Sequence, residues 1–487
     1  MKKETLGLFL GPAFFIVVLA LAPDGALPVA ARAIAASALW IATWWITEAV
    51  PIPVTALLPL VLFPVTGGLD IRVTASAYGH PLIFLFVGGF MVALAIERWN
   101  LHRRIALNII SLVGLSPARI LLGFMVATAC LSMWISNTAT TMMMMPIGIA
   151  LVSQLHDFED ESDGENKTFA KALMLAIAYS ASIGGLATLI GTPTNVIFSG
   201  IVKELYNVEV TFAQWVMFGL PLSAALLIIC WVYLTRKTLG PETGVIGKSH
   251  DEIKEQLRNL GRMSYEEKCV LWVFLLTAVA WISRSFILSK FIPGIDDTVI
   301  AILAALILFI IPARRETATR ILDWRTASAL PWGIVILFGG GLSLATGFKQ
   351  SGLAEWMGGQ MNMLSGTSFF LILFVVVALV NFLTEMTSNV ATASMLLPIL
   401  AAFATGLNVH PFGLMVGACV AASCAFMLPV ATPPNAVVFG SGFLSMGDMV
   451  RAGIWMNVLS ILIVTLYVYF VLPFLWGFDL TSLPTAF

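Results

Sequence analysis

Charge is scarce in this sequence. Only 11% of its 487 residues are Asp, Glu, Lys or Arg while 59% are hydrophobic, and an ordinary soluble domain carries about 25% charged residues. A mean hydropathy of +0.94 therefore excludes a chain that folds in water alone. Long basic runs are missing too, and with a formal net charge of -1 the electrostatic footprint of nucleic-acid binding is absent, so no nucleic-acid partner is expected. Cysteine is sparse: Cys130, Cys230, Cys269, Cys419 and Cys424 lie in or beside apolar stretches without CxxC spacing, which argues against zinc sites and a disulfide framework and for packing roles. The five histidines are scattered, and only His80 closely precedes an apolar segment, which speaks against a metal centre.

What is abundant is apolar sequence in long stretches. Stretches able to cross a hydrocarbon core of about 30 Å fall at 6–22, 33–48, 52–66, 80–100, 172–204, 213–235, 269–287, 298–312, 330–350, 412–446 and 452–473. Two more, 118–155 and 367–405, are too long for one crossing, and each has a polar cluster midway. They read as re-entrant helical hairpins. Lys2 and Lys3 before the run Leu6–Leu21, with small residues at Ala30–Ala36, imitate a secretory signal. The many segments that follow favour a first spanning helix with its start in the cytoplasm. Eleven spans place Lys2/Lys3, His102/Arg103/Arg104/Arg119, the polar loop Arg236–Lys268 and Arg314/Arg315/Arg320/Arg325 on the cytoplasmic side, as the positive-inside rule requires. The hairpin at 118–155 then opens inward, that at 367–405 outward, and the acidic connector Asp157–Glu165 is cytoplasmic.

The two halves superimpose in sequence. At a displacement of 252 residues Phe86, Gly88, Gly89 and Leu101 fall on Phe338, Gly340, Gly341 and Leu353, and Ser136-Asn137, Thr140 and Pro146 fall on Ser388-Asn389, Thr392 and Pro398. At 240 residues Thr192-Pro193 and Asn195 fall on Thr432-Pro433 and Asn435. Five spans and a hairpin per half, an odd number of crossings, set the second half upside down. This predicts an all-α polytopic membrane protein of about 11 transmembrane helices plus two re-entrant hairpins in an inverted repeat, with substrate and ions near the midplane between repeats. By this division 1–117 are scaffold helices, 118–204 a first transport half, 205–366 further scaffold helices with the loop 236–268, 367–446 a second transport half and 447–487 a C-terminal helix.

Four clusters interrupt helices at membrane depth: Ser136-Asn137-Thr138, Gly191-Thr192-Pro193-Thr194-Asn195, Ser388-Asn389-Val390 and Ala431-Thr432-Pro433-Pro434-Asn435. Broken backbone survives in hydrocarbon only where it lines a cavity or a ligand, and proline and glycine are the residues that break it. Helix ends exposed there offer N–H groups to anions and carbonyls to cations. Ser, Thr and Asn also act as plain interhelical glue, but four clusters at matching repeat positions favour binding. Glu48, Glu97 and Glu385 lie in or beside apolar segments, where a carboxylate is a functional candidate. Glu97, beside Arg98, and Glu48, just before Pro51, read as structural or interfacial; Glu385, next to Thr384, reads as a group that orients a cation cage without touching the ion. The run Met142–Met145 reads as flexible packing.

At these residues the chain resembles the divalent-anion sodium symporter family, which includes dicarboxylate, citrate and sulfate carriers. The stretch Ala422-Ser423-x-x-Phe426-x-x-Pro429-Val430-Ala431-x-x-x-Asn435-x-Val437-Val438 fits the family's C-terminal signature, and the paired Ser-Asn-Thr tips are its second hallmark, the second tip here ending in Val390. The resemblance implies one sodium site from Ser132, Ser136, Asn137 and Gly191 and a mate from Thr384, Ser388, Asn389 and Ala431. Substrate carboxylates would meet Ser136, Asn137 and Thr138 on one side and Ser388 and Asn389 on the other, beside Val390, with Thr432 and Pro433 completing the pocket. It further implies a homodimer in the inner (plasma) membrane, with the N-terminus cytoplasmic and the C-terminus outside, that moves its hairpins by an elevator motion. Sodium ions are the implied coupling ions, with no organic cofactor, and C4-dicarboxylates the implied substrates. Dicarboxylate exchange, proton coupling and sulfate or citrate transport remain alternatives. An intramembrane serine hydrolase would need a general base near Ser132, Ser136 or Ser388, and no spanning segment supplies a well-placed histidine. A passive channel fits poorly with closed midplane loops.

Overall fold

The computed structural model describes residues 3–21, 27–113, 116–155, 163–239, 255–314, 319–360 and 366–484. Residues 157–162 of the acidic connector, 240–254 of the polar loop, Lys2 and Arg315 lie outside the described residues. Among the described residues the chain is helical, and an isolated bridge of strand type joins Pro312 to Arg320. Helices α1 (Lys3–Leu21) and α2 (Val29–Thr47) pack on each other. Phe9, Ile16 and Val17 of α1 stay exposed, as suits a helix in contact with lipid.

The expected span at 52–66 is two short helices, α3 (Ile52–Thr55) and α4 (Leu58–Thr66), parted at Ala56-Leu57. Pro59 has no amide proton to give the Thr55 carbonyl, a bond that a continuous helix would make, while Pro51 and Pro53 sit at the start of α3, where a helix tolerates proline. Helix α5 (Ile71–Ser76) leads to α6 (Pro81–Arg98), and α7 (Leu101–Val113) follows. The first hairpin is α8 (Pro117–Ser132) and α9 (Asn137–Leu155). The first broken helix is α10 (Asp163–Gly185), the unwound residues 186–192 and α11 (Pro193–Tyr206). Then come α12 (Phe212–Tyr233), α13 (Tyr265–Ser283), α14 (Asp297–Ile310), α15 (Trp332–Gln350) and α16 (Leu353–Gln360). The second hairpin is α17 (Phe369–Thr384) and α18 (Asn389–Gly406), the second broken helix α19 (Pro411–Ala422) and α20 (Pro433–Phe439), and α21 (Met446–Trp476) closes the described chain.

Small residues set the close crossings, as in other membrane bundles. A side chain at Gly88 of α6 would come within 2.7 Å of the Ala301 backbone in α14, and one at its repeat mate Gly340 of α15 within 2.6 Å of the Ala56 carbonyl. Helix α10, rich in Ala, Ser and Gly, is the buried centre and packs on α8, α9 and α20. Helix α9 runs on toward the start of α10, so the open end of the first hairpin lies there. Helix α11 ends at Tyr206, whose hydroxyl hydrogen-bonds Thr405 near the end of α18. The two hairpins thus open at opposite ends of the broken helix α10–α11, as an inverted repeat demands.

Ion pairs tie the polar ends. Ser264 and Glu267 form a reciprocal cap on α13, and Arg104 of α7 pairs with Glu267 at 2.9 Å. At the other end of α13, Arg284 pairs with Glu209 at 2.6 Å and Asp297 at 2.8 Å.

Candidate functional site

A cavity of about 670 Å3 gathers the four interruptions. Ser136, Asn137 and Thr138 of the first tip, Ser388, Asn389 and Val390 of the second, Gly191-Thr192-Pro193 and Pro429 to Pro434 all line it. Four helices begin at its wall: α9 at Asn137, α11 at Pro193, α18 at Asn389 and α20 at Pro433. Ser136 accepts a hydrogen bond from the Ala139 amide at 3.2 Å, and Thr432 caps α20 by accepting from the Asn435 amide at 3.3 Å.

Behind each tip stands the hydroxyl expected there. Ser132 Oγ lies 2.6 Å from Asn137 Oδ1 and 2.7 Å from the Ala181 carbonyl oxygen. Thr384 Oγ1 lies 2.8 Å from Asn389 Oδ1 and 2.8 Å from the Ala422 carbonyl oxygen. Neither Ser132 nor Thr384 lines the cavity; both are fully buried and fix the asparagines that do. The unwound loops are closed by the same device in both halves. Asn195 donates to the Gly185 and Thr188 carbonyls at 3.2 and 2.8 Å, and Asn435 to those of Ala425 and Leu428 at 3.2 and 3.0 Å. Every residue of one set maps on the other at the displacement of 240.

The halves differ where small residues meet. A side chain on Gly191 would lie 2.6 Å from the Gly185 carbonyl oxygen, and one on Gly185 2.6 Å from Asn137 Oδ1. The second half carries Ala425 and Ala431 at these positions. Thr194, which replaces a proline of the second half, is buried and hydrogen-bonds Ser423 at 2.8 Å, joining the two unwound loops.

Glu385 carries the largest asymmetry. Its carboxylate accepts the amides of Phe426, Met427 and Leu428 at 2.7, 2.9 and 3.0 Å and the Asn457 side chain at 2.7 Å. It therefore holds the second loop. The repeat mate is Met133, whose backbone carbonyl accepts from the Thr188 hydroxyl. The same two positions are joined in both halves by different chemistry. Glu48, read from sequence as structural or interfacial, lines the cavity and is its one charged residue among the described residues. Glu97 ends α6 next to Arg98, which pairs with Asp323 at 2.8 Å. His80 caps α6 by accepting from the Leu82 amide at 3.3 Å.

Sequence reasoning missed Asn457, Thr188 and Ser423. Asn457 was findable, since an amide in the apolar run of α21 is costly unless paired.

Comparison with known proteins decides the kinship. The family described as the sodium:sulfate symporter transmembrane region matches residues 2–477. The chain belongs to this family. Its members are transporters, not enzymes. It is 47% identical over 484 residues to proteins named sodium-dependent dicarboxylate transporter SdcS in Staphylococcus saprophyticus and Staphylococcus aureus, covering 98% of this chain and 93% of theirs. Two solved structures share the fold. One is MtrF of Neisseria gonorrhoeae, with TM-score 0.57, 10% identity and coverage of 83% of this chain and 85% of that one. The other is the YdaH transporter of Alcanivorax borkumensis, with TM-score 0.58, 12% identity and coverage of 84% and 90%.

Proposed function

We propose that this chain is a sodium-coupled symporter of small dianions, with C4-dicarboxylates such as succinate, malate and fumarate as its substrates. The observation that carries this reading is the charge balance of the cavity. Hydroxyls, amides and helix starts line it, yet among the described residues no lysine or arginine does. Burying one carboxylate costs several kcal/mol, and a helix N-terminus returns only about 0.3–1 kcal/mol. A dianion therefore needs cations bound with it, which is the physical basis of obligatory symport. The first sodium site is assigned to Ser132, Ser136, Asn137 and Gly191, the second to Thr384, Ser388, Asn389 and Ala431. The substrate is assigned to Ser136, Asn137, Thr138, Ser388 and Asn389, beside Val390, Thr432 and Pro433. The names of the staphylococcal relatives, sodium-dependent dicarboxylate transporters, support both ion and substrate.

The moving block of an elevator motion would comprise both hairpins and both broken helices. Helices α12 and α21 pack on α10, α17 and α19, which supports their travelling with it. The working unit is a homodimer in the plasma membrane, the N-terminus cytoplasmic and the C-terminus outside. Glu48 on the cavity wall favours one rival, proton coupling. Uptake of labelled succinate into proteoliposomes separates them: accumulation should require an inward sodium gradient. Accumulation driven by a proton gradient without sodium would replace symport with sodium by the rival.

A further inference from the structure

Away from the central site, a second cavity of about 540 Å3 opens where α10 and α21 start and α12 ends. Its walls bring together Lys171, Lys237, Arg451 and Asp448, with Tyr233 and Trp455. The charges do not cancel. Asp448 accepts from Lys171 at 3.0 Å while its other oxygen caps α21 by accepting from the Ser445 amide and hydroxyl at 3.0 and 2.6 Å. Lys237 and Arg451 have no hydrogen-bond or ion-pair partner among the described residues. Lys237 reaches the cavity from a widened π-helical turn, Leu234–Leu239, that continues α12. Such turns are rare and frequently fall at functional sites.

The cavity is amphipathic. Trp455 and Leu459 form its apolar side, and Trp455 is 58% exposed, a residue type that favours the headgroup level of a membrane. From there Leu462, Leu466 and Phe470 continue an exposed apolar stripe down α21, beside the exposed Ile228 of α12, which packs on α21. Two exposed cations, unpaired among the described residues, at one end and exposed hydrocarbon at the other match an amphipathic anion. We propose that this cavity binds the phosphate of an anionic phospholipid, its acyl chains lying along α21. Basic pockets between membrane helices bind such headgroups, and a free phosphate would leave the stripe unused. This site is independent of the transport reading.

The test uses the full-length protein reconstituted with phosphatidylcholine alone or with added phosphatidylglycerol, then released in detergent for native mass spectrometry. Wild type should retain phosphatidylglycerol but not phosphatidylcholine. Lys237→Gln with Arg451→Gln removes two exposed cations, each worth about 1 kcal/mol near a lipid surface. Retention should weaken roughly 30-fold, which is about 2 kcal/mol at about 1.4 kcal/mol per tenfold. Sodium-driven uptake in phosphatidylcholine vesicles should be kept by the double variant, showing that it folds. Equal retention by variant and wild type, or equal retention of both lipids, would overturn the proposal. Displacement of the lipid by millimolar inorganic phosphate would overturn the lipid assignment in favour of a soluble anion.

Discussion

Asn137 and Asn389 each have the side-chain oxygen fixed by a buried hydroxyl, so the amide is aimed before any ligand arrives. Replacing either by Ala removes a hydrogen bond to a charged ligand, worth about 1.5–3 kcal/mol or roughly ten- to a hundredfold in affinity. Succinate uptake by both variants should fall to background with normal expression; near-normal uptake would end the site assignment. The proposed first sodium site is closely packed at Gly185 and Gly191. Gly191→Ala sets a methyl against the Gly185 carbonyl at 2.6 Å, an overpacking of about 1–3 kcal/mol, and should raise the sodium concentration for half-maximal uptake. Ala431→Gly makes the opposite change and should leave it nearly unaltered. Val390 and Thr138 both line the cavity. Val390→Thr should favour malate or citrate over succinate by about 1 kcal/mol, one net hydrogen bond, and Thr138→Val should do the reverse in competition assays. An unchanged preference in both would show that the third tip position does not face the substrate. The Ser-Asn pairs were legible from sequence because polar residues at membrane depth are rare and these recur at a constant displacement. Glu48 was not, because its place on the wall depends on where α2 ends against the second repeat.

Among elements, the two unwound loops share one backbone plan but differ in what pins them. Asn195 and Asn435, in the first turn of the helix after each break, each hold two carbonyls on the near side of it, which replaces hydrogen bonds the missing turns would have made. Among the described residues only the second loop is also held by a carboxylate, with Asn457 of α21 as the fourth donor. Glu385→Gln exchanges an acceptor for a donor that faces backbone amides. We expect the second loop to loosen, with lower thermal stability and weaker sodium dependence, while Met133→Leu in the first half does neither. If Glu385→Gln matches wild type in a sodium titration, the carboxylate serves packing alone. The repeat made both loops visible in sequence. Glu385 could be singled out in sequence, but what it pins could not, because Phe426 and Asn457 lie far from it along the chain.

For the whole molecule, the connection between α11 and α12 is tied to the distant helices α13 and α14. Arg284 and Asp297 are buried, Glu209 joins them, and Asp297 accepts from the Phe212 amide at 2.8 Å. Asp297→Ala leaves a buried guanidinium short of a partner, a loss of about 3–5 kcal/mol. It should lower the melting temperature in detergent while sodium half-saturation of the surviving protein stays unchanged; a shifted sodium dependence would mean that this cluster reports to the central site. Membrane residence, helical class, repeat and the four interruptions were readable from residue order alone, since hydrophobic length and local helix breaking act over neighbouring residues. Tertiary structure alone decided which side chains meet. The Thr194–Ser423 bridge, the Glu385 pins, the Arg284 cluster and the basic cavity at Arg451 each join segments dozens to hundreds of residues apart. Their contacts follow from how helices cross, and crossing is set by close packing of small residues such as Gly88 and Gly340 rather than by any local pattern.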